Sequence, residues 1–202
     1  RGNLLVSYTD FEGTVYSHSY DIPWASFTDN VTRVVFLDEM YPVSTANWFV
    51  DMDNLTTIVN IEYLNTANVE GMSSMFAGCE SLESLDLTSF NTSRVMDMSY
   101  MFYNCYDLEA LDLSSFDTRG VTDMDEMFAG CSSLTYLDVT GFETINLESM
   151  NFMFAGCSSI RSLDLSSFDT SSVINMRNMF SQMGCKVPNL SIDLTSFDTS
   201  NV

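Results

Sequence analysis

The chain has 202 residues and a mass of 22.7 kDa, which suits one domain or two small ones. It is 46% hydrophobic and 13% aromatic, so a core can form and general disorder is excluded, while 28 acidic against 7 basic residues give a net charge of −21 and a pI near 4.1. A surface of that sign repels phosphates, which argues against nucleic acid and anionic membranes as partners, and no apolar run approaches the roughly 18 residues of a bilayer span.

Arg1, Gly2 and Asn3 open directly into folded-looking sequence, so export would need a signal removed or lying outside this stretch. In residues 1–30, Leu4–Tyr8 and Thr14–Tyr16 flank Asp10–Gly13, the pattern of a hairpin. This segment lacks the period that governs the rest and is expected to cap the open end of the core, with Trp24 as its plug. His18, the sole histidine, lies in it, which leaves a histidine-based triad or zinc enzyme without support.

From residue 31 onward the chain is periodic. Met75-Phe76, Met101-Phe102, Met127-Phe128, Met153-Phe154 and Met179-Phe180 recur every 26 residues. Cys79, Cys105, Cys131 and Cys157 keep the same step, and Cys185 follows 28 later. Leu85-Asp86-Leu87 and its equivalents keep step too, until Ile192-Asp193-Leu194 arrives 29 later. The last unit is stretched around Gln182, Met183 and Pro188.

Each unit contains two shorter periods. Leu85 and Leu87 alternate with Ser84, Asp86 and Thr88, as in a strand with one buried face. The apolar residues Val95, Met98, Met101, Phe102 and Cys105 fall at helical spacing. Thr92 and Ser93 stand where a helix is capped, and Asn104 or Gly78, Gly130 and Gly156 where a left-handed residue ends one. Strands are expected at about 31–37, 56–61, 82–87, 108–113, 134–139, 160–165 and 190–194, giving seven stacked coils.

The strand motif L-x-x-L-x-L-x-x-F, with Phe90, Phe116, Phe142, Phe168 and Phe197, matches a leucine-rich repeat. The longer pattern around Phe90–Val95 and Phe168–Val173 resembles the BspA-like leucine-rich repeats of bacterial surface proteins, over about residues 44–202. Leu147 and Leu64 replace that pattern's Val and Phe. The resulting expectation is an α/β leucine-rich-repeat solenoid over residues 31–202, capped by a small β unit at 1–30. A parallel sheet would line its concave face, with short helices on the other. Because Val202 falls in mid-repeat, the natural protein is expected to continue.

The spacing of the cysteines excludes close metal-binding pairs and reads as one buried thiol per coil, all five free. Ten of the 14 methionines form two rows, Met72 to Met176 and Met75 to Met179, that read as core filler rather than a copper array. Lys186 is the only lysine, and phosphate-binding glycine loops are absent. Four short glycosylation-type motifs, at Asn30, Asn54, Asn91 and Asn189, are of a kind that arises by chance. No catalytic residue, metal or cofactor is expected.

The exposed strand face remains. Its candidate partner-binding residues are Glu83, Asp86, Glu109, Asp112, Thr135, Tyr136, Asp138, Arg161 and Asp164. The rows Glu83, Glu109, Thr135, Arg161 and Ser84, Ala110, Tyr136, Ser162 vary between coils, as recognition surfaces do. The uniform row Asp86, Asp112, Asp138, Asp164 and Asp193 reads as structural, with mutual repulsion expected to raise its pKa values. A non-enzymatic module binding a protein partner follows; the family resemblance implies a cell-surface or secreted protein, with adhesion to host extracellular matrix or other cells. A structural spacer is the alternative, and a carbohydrate- or ice-binding hydroxyl face a weaker one.

Overall fold

The computed structural model describes residues 3–6 and 24–202. Strand β1 (Asn3–Val6), a 3-10 helix (Ala25–Asn30), β2 (Arg33–Phe36), β3 (Thr57–Val59), a second 3-10 helix (Ile61–Tyr63), β4 (Ala110–Asp112) and β5 (Tyr136–Asp138) follow in order. All strand pairs are parallel: β1–β2–β3 form one sheet, and β4–β5 a second, prolonged by a bridge between Ser84 and Ala110. A further parallel ladder joins Gly71, Asp97, Asp123, Ser149 and Asn175, each 26 residues after the last. Residues one repeat apart are therefore hydrogen-bonded neighbours, and the repeats stack as coils.

The strands are shorter than expected. Segment 82–87 contributes a single bridge, and 160–165 and 190–194 form no strand. The corner before segment 160–165 differs in its hydrogen bonds from that of earlier coils. In earlier coils an amide crosses to the preceding coil at this corner, as Ser133 does to the carbonyl of Tyr106 at 3.1 Å. One coil later the hydroxyls of Ser158 and Ser159 donate to the Ser132 carbonyl instead, at 3.1 and 2.7 Å.

The expected helices are absent among the described residues; each methionine-rich segment is a chain of tight turns. Ser74, Tyr100, Glu126, Phe152 and Asn178 have φ between 53° and 58°, and the residues four further on, Gly78, Asn104, Gly130, Gly156 and Gln182, are also left-handed. A helix cannot absorb a positive φ every fourth residue. The amides alternate instead. Met75 closes a turn onto Met72, while Met72, Ser74, Phe76 and Gly78 donate to Asp97, Ser99, Met101 and Tyr103 of the next coil at 2.7–3.0 Å. The apolar period survives: Met72, Met75, Phe76 and Cys79 are all fully buried.

Stacked phenylalanines form the spine of this core. The rings of Phe76, Phe102, Phe128 and Phe154 lie 5.6–5.7 Å apart and within 4° of parallel. Identical side chains repeated at one coil position allow this, and each such pair contributes about 0.5–1.5 kcal/mol beyond its buried area. Both methionine rows are buried as read from the sequence, except Met176 at the edge.

At the first coil, β1 adds to the sheet as a parallel strand, with Leu4 opposite Val34. Buried Trp24 donates its indole N–H to the Trp48 carbonyl at 2.6 Å and meets that ring edge-on. The rest of the expected hairpin, including Thr14–Tyr16 and His18, lies outside the described residues.

Candidate functional site

The strand face is built from residues between the buried leucines. Leu85, Leu87, Leu111, Leu113, Leu137 and Val139 turn inward, all buried but Leu85, which is partly so, and the alternate side chains turn outward. Glu83, Asp86, Glu109, Asp112, Tyr136, Arg161 and Asp164 are exposed, and Thr135 and Asp138 partly so. Backbone bonds from Glu109 to Glu83 and from Thr135 to Glu109 line up the first row at 2.9–3.1 Å. The sheet register sets Ala110 beside Tyr136 and Asp112 beside Asp138.

Six of the nine candidates divide between three open depressions, and Glu83, Glu109 and Asp138 line none of these. Tyr136, 52% exposed, shares one of about 360 Å³ with Asp86 and Asp112. Thr135 and Arg161 share a second with Lys186. Asp164 lines a third with Asp193.

The aspartate row is committed to its own turns. One carboxylate oxygen of Asp86, Asp112 and Asp138 accepts both the amide and the hydroxyl of the residue two further on, Thr88, Ser114 and Thr140, at 2.6–3.0 Å. Asp164 and Asp193 accept the corresponding amides of Ser166 and Thr195. These bonds hold the carboxyls of Asp86, Asp138, Asp164 and Asp193 below the ordinary range, because they favour the charged form. The expected rise from repulsion is thereby overturned. At Asp164 the charges of Asp138 and Asp193 do push upward, yet the Ser166 bonds outweigh them.

On the second ladder the direction is the opposite, and desolvation is the main cause. Half-buried Asp123 has its pKa raised, first by desolvation and then by the charges of Asp125 and Asp97. No group of three or more His, Cys, Asp or Glu residues among those described is placed to hold a metal ion.

Two further rows hold the coils together. Thr66, Thr92, Thr118, Thr144 and Thr170 are buried, and each hydroxyl donates to a carbonyl of the next coil at 2.8–3.0 Å. Thr92 was legible as a helix cap; with no helix to cap, it joins coils. Cys79, Cys105, Cys131 and Cys157 are free and buried, and each thiol donates to a phenylalanine carbonyl of the preceding coil at 3.1–3.2 Å. Burial pushes these thiols far up, Cys157 to about 12. Cys185 departs from the expected pattern: it is free but exposed, because the stretched last coil carries it off the core.

These features define a repeat protein of stacked parallel coils with one varied face. The chain belongs to the family described as "Mycoplasma protein of unknown function, DUF285", whose model matches residues 30–135 and 125–202. Comparison with curated proteins gave no match. Among solved structures, the chain is similar to a leucine-rich repeat protein from Bacteroides ovatus at 21% identity and a TM-score of 0.49. The match covers 86% of this chain and 45% of that one, so the chain spans less than half of that protein's length. No helix among the described residues is long and apolar enough to cross a membrane.

Proposed function

We propose that the chain is a non-enzymatic recognition module, a leucine-rich-repeat solenoid that holds a protein partner on its strand face, at a cell surface or after secretion. One contrast carries this reading. The uniform Asp and Ser/Thr rows are occupied by hydrogen bonds within their own coils, whereas Glu83, Glu109, Thr135 and Arg161, and Ser84, Ala110, Tyr136 and Ser162, change chemistry from coil to coil. Exposed Tyr136 beside Asp86 and Asp112 supplies an aromatic anchor with an acidic rim, the kind of residue that dominates protein interfaces. Adhesion to host matrix or to another cell is the role we favour.

A spacer that only projects another domain has no use for a varied face. An ice- or carbohydrate-binding array on the row of Thr88, Ser114 and Thr140 is disfavoured because the charged Asp86, Asp112 and Asp138, to which they donate, interrupt any flat hydroxyl surface.

The test is retention of purified extracellular-matrix proteins by the immobilised chain. The parent should retain a partner that a Tyr136→Ser, Arg161→Glu variant of unchanged melting temperature releases. Equal retention by both, or none by either, would favour the spacer.

A further inference from the structure

In a chain with 28 acids and 7 bases, two of the bases meet in one place. Arg161 and Lys186 are exposed and line a depression of about 340 Å³ with Thr135, Ser159, Val187 and Pro188. Its lining carries no carboxylate. Arg94 and Arg119 are paired with Glu70 and Asp117, but neither Arg161 nor Lys186 has an ion-pair partner among the described residues. The depression depends on the insertion in the last coil. Lys186 donates its amide to the Ser158 carbonyl at 3.0 Å and Val187 closes a turn onto Gly184 at 2.8 Å, which sets Lys186, Val187 and Pro188 against the preceding coil.

The hydroxyls narrow the ligand. Thr135 donates its proton to the Glu109 carbonyl at 3.1 Å, and Ser159 donates its own to the Ser132 carbonyl at 2.7 Å. Each oxygen is left as an acceptor. The niche therefore offers two cations, two acceptors and a short apolar wall. Phosphate and sulfate groups satisfy the cations but bring few or no protons for the acceptors, and the second charge of a dianion meets twice the repulsion of a strongly acidic chain. A sugar ring bearing one carboxylate and several hydroxyls satisfies all three features.

We propose that this niche binds a hexuronate ring at the end of a glycan. Arg161 and Lys186 take the carboxylate, Thr135 and Ser159 accept ring hydroxyls, and Val187 and Pro188 cover a C–H face. The niche shares Thr135 and Arg161 with the protein-binding face, but its ligand is of another class and is tested without any protein partner.

The probe is methyl β-glucuronide, titrated into the whole chain and followed by amide NMR. Methyl β-glucoside and sodium acetate serve as single-feature controls. Saturable shifts are expected at Arg161, Lys186 and Val187, with both controls at least about tenfold weaker. Arg161→Gln should weaken the glucuronide about tenfold without moving the melting temperature, and Thr135→Val should weaken the glucuronide but not acetate. Acetate or inorganic sulfate binding as tightly as the glucuronide would overturn the proposal, leaving a simple anion site. So would the absence of saturable shifts, or equal binding by Arg161→Gln.

Discussion

Thr92 and Asp117 are joined twice: the Thr92 hydroxyl donates to the Asp117 carbonyl at 3.0 Å and accepts the Asp117 amide at 2.8 Å. The same double bond recurs between Thr118 and Glu143 and between Thr170 and Asp198. One buried side chain thus satisfies both backbone groups of a residue 25 to 28 positions away. Thr118→Val keeps the shape and removes both bonds, stranding a donor and an acceptor at roughly 1–3 kcal/mol each. Urea denaturation should show a loss of roughly 2–6 kcal/mol, with Thr118→Ser well above Thr118→Val. Equal stability of parent and Thr118→Val would disprove the staple.

Met127 is fully buried at the centre of its row. Met127→Lys places an ammonium in the core at a cost of several kcal/mol, comparable with the whole stability of a small domain. Its own coil and the neighbouring ones should lose amide exchange protection, whereas Met127→Leu should cost less than about 1.5 kcal/mol. Unchanged protection in Met127→Lys would place that residue off the core.

Thiol titration should separate the cysteines into one and four. Cys185 should react at once and Cys79, Cys105, Cys131 and Cys157 only after denaturation, since they are buried with strongly raised pKa values. Two or more prompt groups, or fewer than five in the denatured, non-reduced chain, would contradict this.

The two aspartate ladders should respond oppositely to pH. Asp138 has a folded pKa below its unfolded one, so its contribution is present above the unfolded value near 4 and is lost as pH falls through the folded value. Asp138→Ala should therefore lower the melting temperature at pH 7, and by less at pH 2. Asp123 has a folded pKa above its unfolded one, so its contribution is present below about pH 4 and lost as pH rises. Asp123→Asn keeps an acceptor for the Asp125 amide and removes the charge, and it should raise the melting temperature at pH 7 but not at pH 2. Shifts of the same sign for both variants at pH 7 would refute the assignment.

The repeat, the buried rows and the outward strand face are legible in the sequence because burial leaves a period that needs no coordinates. The backbone of the methionine segment is not. Residues 72, 75, 76 and 79 fall on one side of a helix and equally on the inner side of successive tight turns, and apolar spacing cannot separate the two. The distinguishing signal is Gly78, Gly130 and Gly156: a β-carbon at Gly130 would stand 2.2 Å from Asn104 Oδ1, and these glycines mark a left-handed residue within the ribbon rather than the end of a helix. Thr92 was misread for the same reason. The aspartate row illustrates a different gap. Spacing shows that charges stack, but only geometry shows that Thr88 and Thr140 reach back to Asp86 and Asp138 and outweigh the repulsion.

In the turn ribbons between residues 72 and 156, each amide that leaves its coil donates to a carbonyl of the next one, as Ser74 does to Ser99, Tyr100 to Asp125 and Glu126 to Asn151. Every donor thus finds an equivalent acceptor after a shift of one whole repeat. Excising or duplicating 26 residues within this region rejoins the same bonds, the same ring stack and the same threonine staples. Length is therefore a quantity that recombination between repeats can change without any contact being redesigned, while the strand face gains or loses one row of variable side chains at each step.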